Sequence, residues 1–305
     1  MARFLSATAF MAVFCATTAN AAFDQRHATW TGLLAKHVVV LDGGKTSLVD
    51  YGGMAQDGAA LKTYLRSLET VTESEFLTWA KAEQLAFLIN AYNAHMIELV
   101  LTRYPDIRSV WDFGRVLNNP FKTRFFKLFG RDCSLDMIEH DTIRARGVYD
   151  DPRVHFAVNC ASAGCPMLRE EAYVGERLDA QLEQQTRRFL GERSRNRFDA
   201  ASGQLQMSEI FRWYADDFER GYRGTRSVRH FLSAYAAVLA DSPEAVRKIA
   251  EQQAAIQFLP YDWRLNAARS GVAAAERTFP LASSQKPGEV GRQQVVPDNR
   301  PDAHR

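Results

Sequence analysis

A chain of 305 residues, 46% of them hydrophobic, has enough apolar material for one large core or two small ones. Its 38 Lys and Arg stand against 36 Asp and Glu, a balance that argues against a nucleic-acid partner, which needs a basic excess gathered on one face. Apolar runs all fall short of the ~20 residues of a membrane-spanning helix, so the mature chain is expected to have no transmembrane segment.

Arg3 is the only charge in the first 21 residues. The apolar run from Phe4 to Ala16 and the small-x-small pattern Ala19-Asn20-Ala21 predict a signal peptide over 1–21, and hence a periplasmic or secreted protein. An uncleaved N-terminal anchor is the alternative. Asp24 is placed to cap a helix reaching about Lys36, with Trp30, Leu33 and Leu34 on one face. HVVVL and SLVDY flank Asp42-Gly43-Gly44 and predict a hairpin. Helical spacing follows from about Gln56 to Leu68, then a short helix after Thr72 or Ser74, then a long one from about Ala80 to Tyr104. KTRFFKLFGRDCSL predicts a second hairpin turning at Gly130, and Ser134 caps a helix over SLDMIEHDTIRAR. The apolar run Arg153–Asn159 reads as a buried strand. A helix over Glu176–Leu190, a third hairpin in NRFDAASGQLQM, the helix SEIFRWYADDF and helices near His230 and Glu244 complete the set. Beyond Phe279 there is no aromatic residue, and Pro, Gln, Ser, Gly and charge accumulate. Residues 277–305 are expected to be a disordered tail. The pattern is α+β: a predominantly helical single domain over 22–276, with short antiparallel hairpins and one buried central strand.

Three segments carry chemistry. The helix EQLAFLINAYNAHMIELVL is apolar nearly all round, yet Asn90 and Asn93 lie three apart on one face. Each buried amide needs partners, either backbone groups or a functional side chain. In SLDMIEHDTIR, His140 offers a base that titrates near neutrality, or simply a packed residue. VHFAVNCASAGCP brings His155, Asn159, Cys160 and Cys165 together. On a strand His155 and Asn159 share a face. The small residues Ala161 to Gly164 permit a tight turn whose N–H groups would form an oxyanion pocket for a Cys160 nucleophile.

LAFLINAYNA, SLDMIEH, HFAVNCASAGCP, ERLDAQLEQQTRRFL, LQMSEIFRWYADDF and FLPYDWRLN occur in this order. Over about Val49 to Asn266 the chain thereby resembles the bacterial, exported branch of the family known as domain of unknown function 547. It departs from that pattern at Leu88, where Trp is expected. The resemblance implies a shared fold and a shared polar site, with no established activity.

Removal of the signal peptide leaves Cys133, Cys160 and Cys165. In an exported protein Cys160 and Cys165 are candidates for a structural disulfide, for a catalytic thiolate at Cys160, or for metal binding with His140 or His155. Their spacing fits neither CxxC nor HExxH, so no metal and no cofactor is expected. Two functions follow. One is a thiol-dependent hydrolase or acyl-transferase with a Cys–His–Asn site: Cys160 attacks, His155 or His140 is the base, and Asn90, Asn93 or Asn159 orients the ring. Its substrate would be peptide, amide or other envelope-associated bonds. The other is a non-enzymatic periplasmic binding or scaffold domain with a Cys160–Cys165 staple. Its aromatics Trp213, Tyr214, Tyr261 and Trp263 would either meet a partner or fill the core.

Overall fold

The computed structural model describes residues 22–116 and 118–268; the expected signal peptide and tail lie outside the described residues. The carboxylate of Asp24 accepts from the N–H groups of Arg26 and Ala28 and so starts α1 (Ala28–His37). β1 (Val38–Leu41) and β2 (Thr46–Val49) form the first hairpin around Asp42–Gly44. Then come α2 (Tyr51–Gln56), α3 (Gly58–Thr70) and α4 (Glu73–Thr78), the last capped by the Thr72 hydroxyl. α5 (Lys81–Leu101) is buried on almost every side, as its apolar sequence requires, and anchors the first of two hydrophobic cores. β3 (Phe126–Leu128) and β4 (Arg131–Cys133) turn at Phe129-Gly130, both with positive φ (55° and 72°), the geometry of a tight two-residue hairpin loop.

Ser134 caps the next segment as expected, accepting from the N–H of Met137. The segment is not an α-helix, however. Met137–Ile143 is wound as a π-helix, with the Arg144 N–H donating to the Glu139 carbonyl five residues back at 2.9 Å. The apolar run expected as a central strand is also helical: Pro152–Phe156 is a 3-10 helix followed by a turn. Pro152 suits its first position and the Asp151 carboxylate caps it by accepting from the Arg153 N–H. His155 and Asn159 therefore do not share a strand face.

The second core is built on α6 (Leu178–Leu190), β5 (Arg197–Asp199), β6 (Gln204–Ser208), α7 (Ile210–Trp213), α8 (Val228–Ser233), α9 (Ala236–Leu239), α10 (Pro243–Ala250) and β7 (Ile256–Leu259). β5 and β6 are the third hairpin, and β7 adds parallel to β6, a pairing made possible by the long helical crossover between them. The protein is thus a mostly helical α+β domain with small sheets. Phe156 enters the second core while Val154, Ala157 and Val158 enter the first, so the 3-10 helix sits at the seam and holds His155 there.

After β7 the chain returns as an extended strap, Pro260 to Ala268. It pairs with three separate segments. Asn266 and Ala268 bond Val49, the Leu265 N–H donates to the Arg108 carbonyl, and the carbonyls of Arg264 and Asp262 accept from Ala163 and Gly164 at 2.7 and 2.8 Å. A Cβ on Gly164 would lie 2.8 Å from the Asp262 backbone nitrogen, which explains the glycine. No helix among the described residues is long and apolar enough to cross a membrane.

Candidate functional site

A cavity of about 580 Å³ opens beside the seam. His140, His155, Cys160 and Cys165 all line it, together with Glu139, Tyr214 and the aromatic wall Trp111, Trp213, Tyr261 and Trp263. The wall is continuous: the Tyr261 and Trp263 ring centres are 4.5 Å apart, and Trp213 stacks on Trp263 at 5.7 Å. The aromatics weighed as partner contacts or core thus pack against the two cores and line the cavity, brought in by α7 and the strap.

Asn90, Asn93 and Asn159 do not line the cavity. Each is spent on backbone. Asn90 donates to the Tyr173 carbonyl at 2.7 Å and accepts from its N–H at 3.0 Å. Asn93 donates to the Ala157 carbonyl at 3.0 Å and accepts from the Asn159 N–H at 2.8 Å. Asn159 donates to the Pro166 carbonyl and accepts from the Ala161 N–H. The amides therefore clamp the segment 157–173 onto α5 and shape the Cys160 turn.

The imidazole partner is an acid rather than an amide. His155 Nε2 lies 2.7 Å from Asp217 Oδ2. A carboxylate only accepts, so Nε2 carries the proton and Nδ1 keeps its lone pair. Nδ1 is buried without a partner. The ring stacks on Tyr214 with centroids 3.9 Å apart. Burial holds His155 below the ordinary imidazole range, outweighing the pull of Asp217. Asp217 moves the other way. Burial opposes its charge, but the hydrogen bonds from His155 and Arg144 overcome that and hold the carboxyl far below its usual range. Arg144 Nε donates to it at 2.6 Å and Arg220 pairs with it at 2.6 Å.

The π-helix supplies the rest. It buries Glu139 and turns its carboxylate to the hydroxyl of Tyr214. Burial resists ionisation of Glu139, but His140, His155 and the Tyr214 bond prevail and lower it. His140 Nδ1 accepts from Arg144, which can only donate, so the ring proton is on Nε2, 3.7 Å from Asp136. Neither Glu139 nor Asp217 stood out in the sequence.

Cys160 is half-buried, at the base of a strained turn: Ala161 adopts φ +61°. The disulfide expectation is not met, since Cys133, Cys160 and Cys165 are free thiols. The Cys160 N–H donates to the Cys165 sulfur at 3.1 Å. The Cys160 sulfur lies 3.2 Å from the Tyr261 hydroxyl and 3.5 Å from that of Ser162. The hydrogen bond from Cys165, then those from Tyr261 and Ser162, outweigh burial and bring the Cys160 thiol down to about 7. Burial pushes Cys165 up. Of the backbone N–H groups expected to form an oxyanion pocket, that of Ser162 faces the Cys160 sulfur. From Asn159 to Cys165 every N–H is engaged, that of Ser162 with the Cys160 sulfur and the others with backbone or side-chain acceptors. Among the described residues no cluster of three His, Cys, Asp or Glu could hold a metal ion.

These features define an α+β domain organised around a thiol-bearing, aromatic-walled cavity. The family described as "Protein of unknown function, DUF547" matches residues 76–190 of the chain. The matched span runs from α4 to α6 and holds Cys160, His140, His155 and the three asparagines, whereas Tyr214, Asp217 and Tyr261 lie beyond it. Neither the curated proteins nor the solved structures yield a match.

Proposed function

We propose that the protein is a thiol-dependent hydrolase or acyl-transferase in which Cys160 is the nucleophile and His155, oriented by Asp217, is the base. The observation that carries this reading is the pairing in one cavity of a polarised thiol with a neutral imidazole whose Nδ1 lone pair is unused. A carbonyl substrate enters between the aromatic wall and Cys160. The thiolate attacks the carbonyl carbon, and negative charge passes from sulfur to oxygen. The hydroxyls of Tyr261 and Ser162 and the Ser162 N–H, which all face the sulfur, are the donors placed to follow that charge. His155 takes the thiol proton and returns it to the leaving group, then activates the water or acceptor that resolves the thioester. Asn93 and Asn159 hold the turn; Arg144, which also donates to His140, helps keep Asp217 ionised.

The export signal read in residues 1–21 supports a periplasmic or secreted enzyme acting on peptide, amide or other envelope bonds. A binding or scaffold role accounts for the asparagine clamps but leaves the activated thiol and the spare imidazole nitrogen without use. The test is to mix the reduced protein with p-nitrophenyl acetate, quench in acid and map the adduct. An acetyl thioester on Cys160 that turns over in the wild type and persists in His155→Gln is expected. Acetylation confined to lysines, with Cys160 unmodified, overturns the proposal.

A further inference from the structure

The mechanism above gives Cys165 no part beyond polarising Cys160, though it lines the same cavity and its sulfur accepts the Cys160 backbone N–H at 3.1 Å. The two thiols are in contact yet differ in every respect that decides thiol–disulfide reactivity. Cys160 is half-buried and faced by the Tyr261 and Ser162 hydroxyls. Cys165 is 6% exposed, and its sulfur lies 3.8 Å from the Val158 carbonyl. An incoming disulfide in the cavity meets Cys160 first.

The turn between them is pinned. The Cys165 N–H donates to the Ser162 carbonyl at 3.0 Å, and the strap holds Ala161, Ala163 and Gly164 through backbone bonds. Bringing the sulfurs together therefore requires little loss of chain freedom. Cys133 lies in β4 with its thiol toward Leu128 and takes no part.

We propose that Cys160 and Cys165 form a nucleophile–resolver pair that carries out thiol–disulfide exchange with small disulfides entering the cavity. The Cys160 thiolate attacks one sulfur of the disulfide RSSR, whose S–S bond breaks, and the first RS⁻ leaves and takes a proton from solvent. The product is a mixed disulfide on Cys160. Cys165 then loses its proton, its thiolate attacks the Cys160 sulfur, and the second RS⁻ leaves with that proton. Overall the protein dithiol is oxidised to a Cys160–Cys165 disulfide and RSSR is reduced to two RSH. The lowered pKa of Cys160 and the raised pKa of Cys165 agree with this order of attack. The exchange shares the Cys160 nucleophile with the acyl chemistry but needs neither His155 nor a carbonyl substrate. Its oxidised product lacks the thiolate on which the acyl reaction depends, so the pair also sets whether the cavity is active.

The experiment treats the reduced full chain with oxidised glutathione and reads intact mass and released glutathione. The wild type is expected to lose two hydrogens, carry no adduct and release two glutathiones per chain. Cys165→Ser, and Cys165→Ala as a second variant lacking the added hydroxyl, are expected to stop at one glutathione on Cys160 with one released. Cys160→Ser is expected to stay unreacted. A wild type that ends with glutathione stably attached to Cys160 overturns the resolver, as does a Cys160→Ser variant that reacts at Cys165. Acetylation of Cys160 by p-nitrophenyl acetate in the reduced wild type, read beside the glutathione reaction of the same chain, separates the two proposals. If it persists while exchange fails, only the exchange falls; if exchange succeeds and acetylation fails, only the acyl reading falls.

Discussion

Alkylation of Cys160 by iodoacetamide across a pH series reads the state of the site directly. With its thiol at about 7, half of Cys160 is thiolate at pH 7, against ~3% for an ordinary thiol of pKa about 8.5. That is roughly a 16-fold advantage in reactive form. A more acidic thiolate is also a weaker nucleophile; a Brønsted slope of about 0.4–0.5 over this gap reduces the rate about fivefold. The net expectation is a rate at pH 7 about threefold above a free thiol, rising from pH 6 to 8 and flat above it, whereas an ordinary thiol keeps gaining until beyond pH 9. Peptide mapping assigns the signal, because Cys133 and Cys165 are buried. Tyr261→Phe removes a donor to the anion. At about 1.5–3 kcal/mol for such a bond, and 1.36 kcal/mol per unit, the midpoint should climb by one to two units. A wild-type rate still increasing tenfold per pH unit at pH 8.5, or a midpoint indifferent to Tyr261→Phe, would refute the polarised thiol.

Three further outcomes are expected. Asp217→Asn leaves Arg144 and Arg220, each 14% exposed, without their shared countercharge, and should destabilise the fold by about 3–5 kcal/mol in urea unfolding; a change under about 1 kcal/mol would mean the guanidiniums find other partners. His27 is 1% exposed, its Nε2 has no partner, and burial lowers it from 6.5 to about 4. The unfolded chain therefore binds this proton first, so stability present above pH 6.5 is lost as pH falls toward 4, by about 3 kcal/mol. His27→Asn, which suits the left-handed backbone there (φ 50°), should flatten the stability curve over that window, and parallel curves would disprove the assignment. Gly164→Ala forces a methyl against the Asp262 backbone and should cost about 1–3 kcal/mol and slow Cys160 alkylation at pH 7 as Tyr261 shifts. Gly58→Ala, where nothing lies within 4 Å, is the control, and equal effects at both glycines would count against the strap contact.

The hairpins and the helix starts were legible because their signals are local. Asp42-Gly43-Gly44, Gly130, Asp24, Thr72 and Ser134 each act within a few residues of themselves. The segment 153–159 differs from its expected strand because an apolar run without period fits a strand or a buried helix equally well; Asp151-Pro152, a cap and a first-turn residue, decides for the helix. Cys160, His155 and His140 were readable as a site by residue type. Asp217 was not. It adjoins Asp216 in the sequence, and only the fold separates the buried acid from the exposed one. Glu139 was hidden by the π winding, which changes the residue count per turn and with it the face each side chain takes. The asparagines were correctly marked as buried amides needing partners, but whether a partner is backbone or imidazole is decided by segments over 60 residues away.

The strap from Pro260 to Ala268 has a bearing on the order of events in the cell. It is the final stretch of the described fold to be synthesised, yet Tyr261 beside the sulfur and the bonds that fix Ala161, Ala163 and Gly164 all depend on it. A growing polypeptide halted before Tyr261 would hold Cys160 in an unfinished turn, without the hydroxyl that acidifies it. The turn around Cys160 is thus completed only when the last stretch of the described fold is in place.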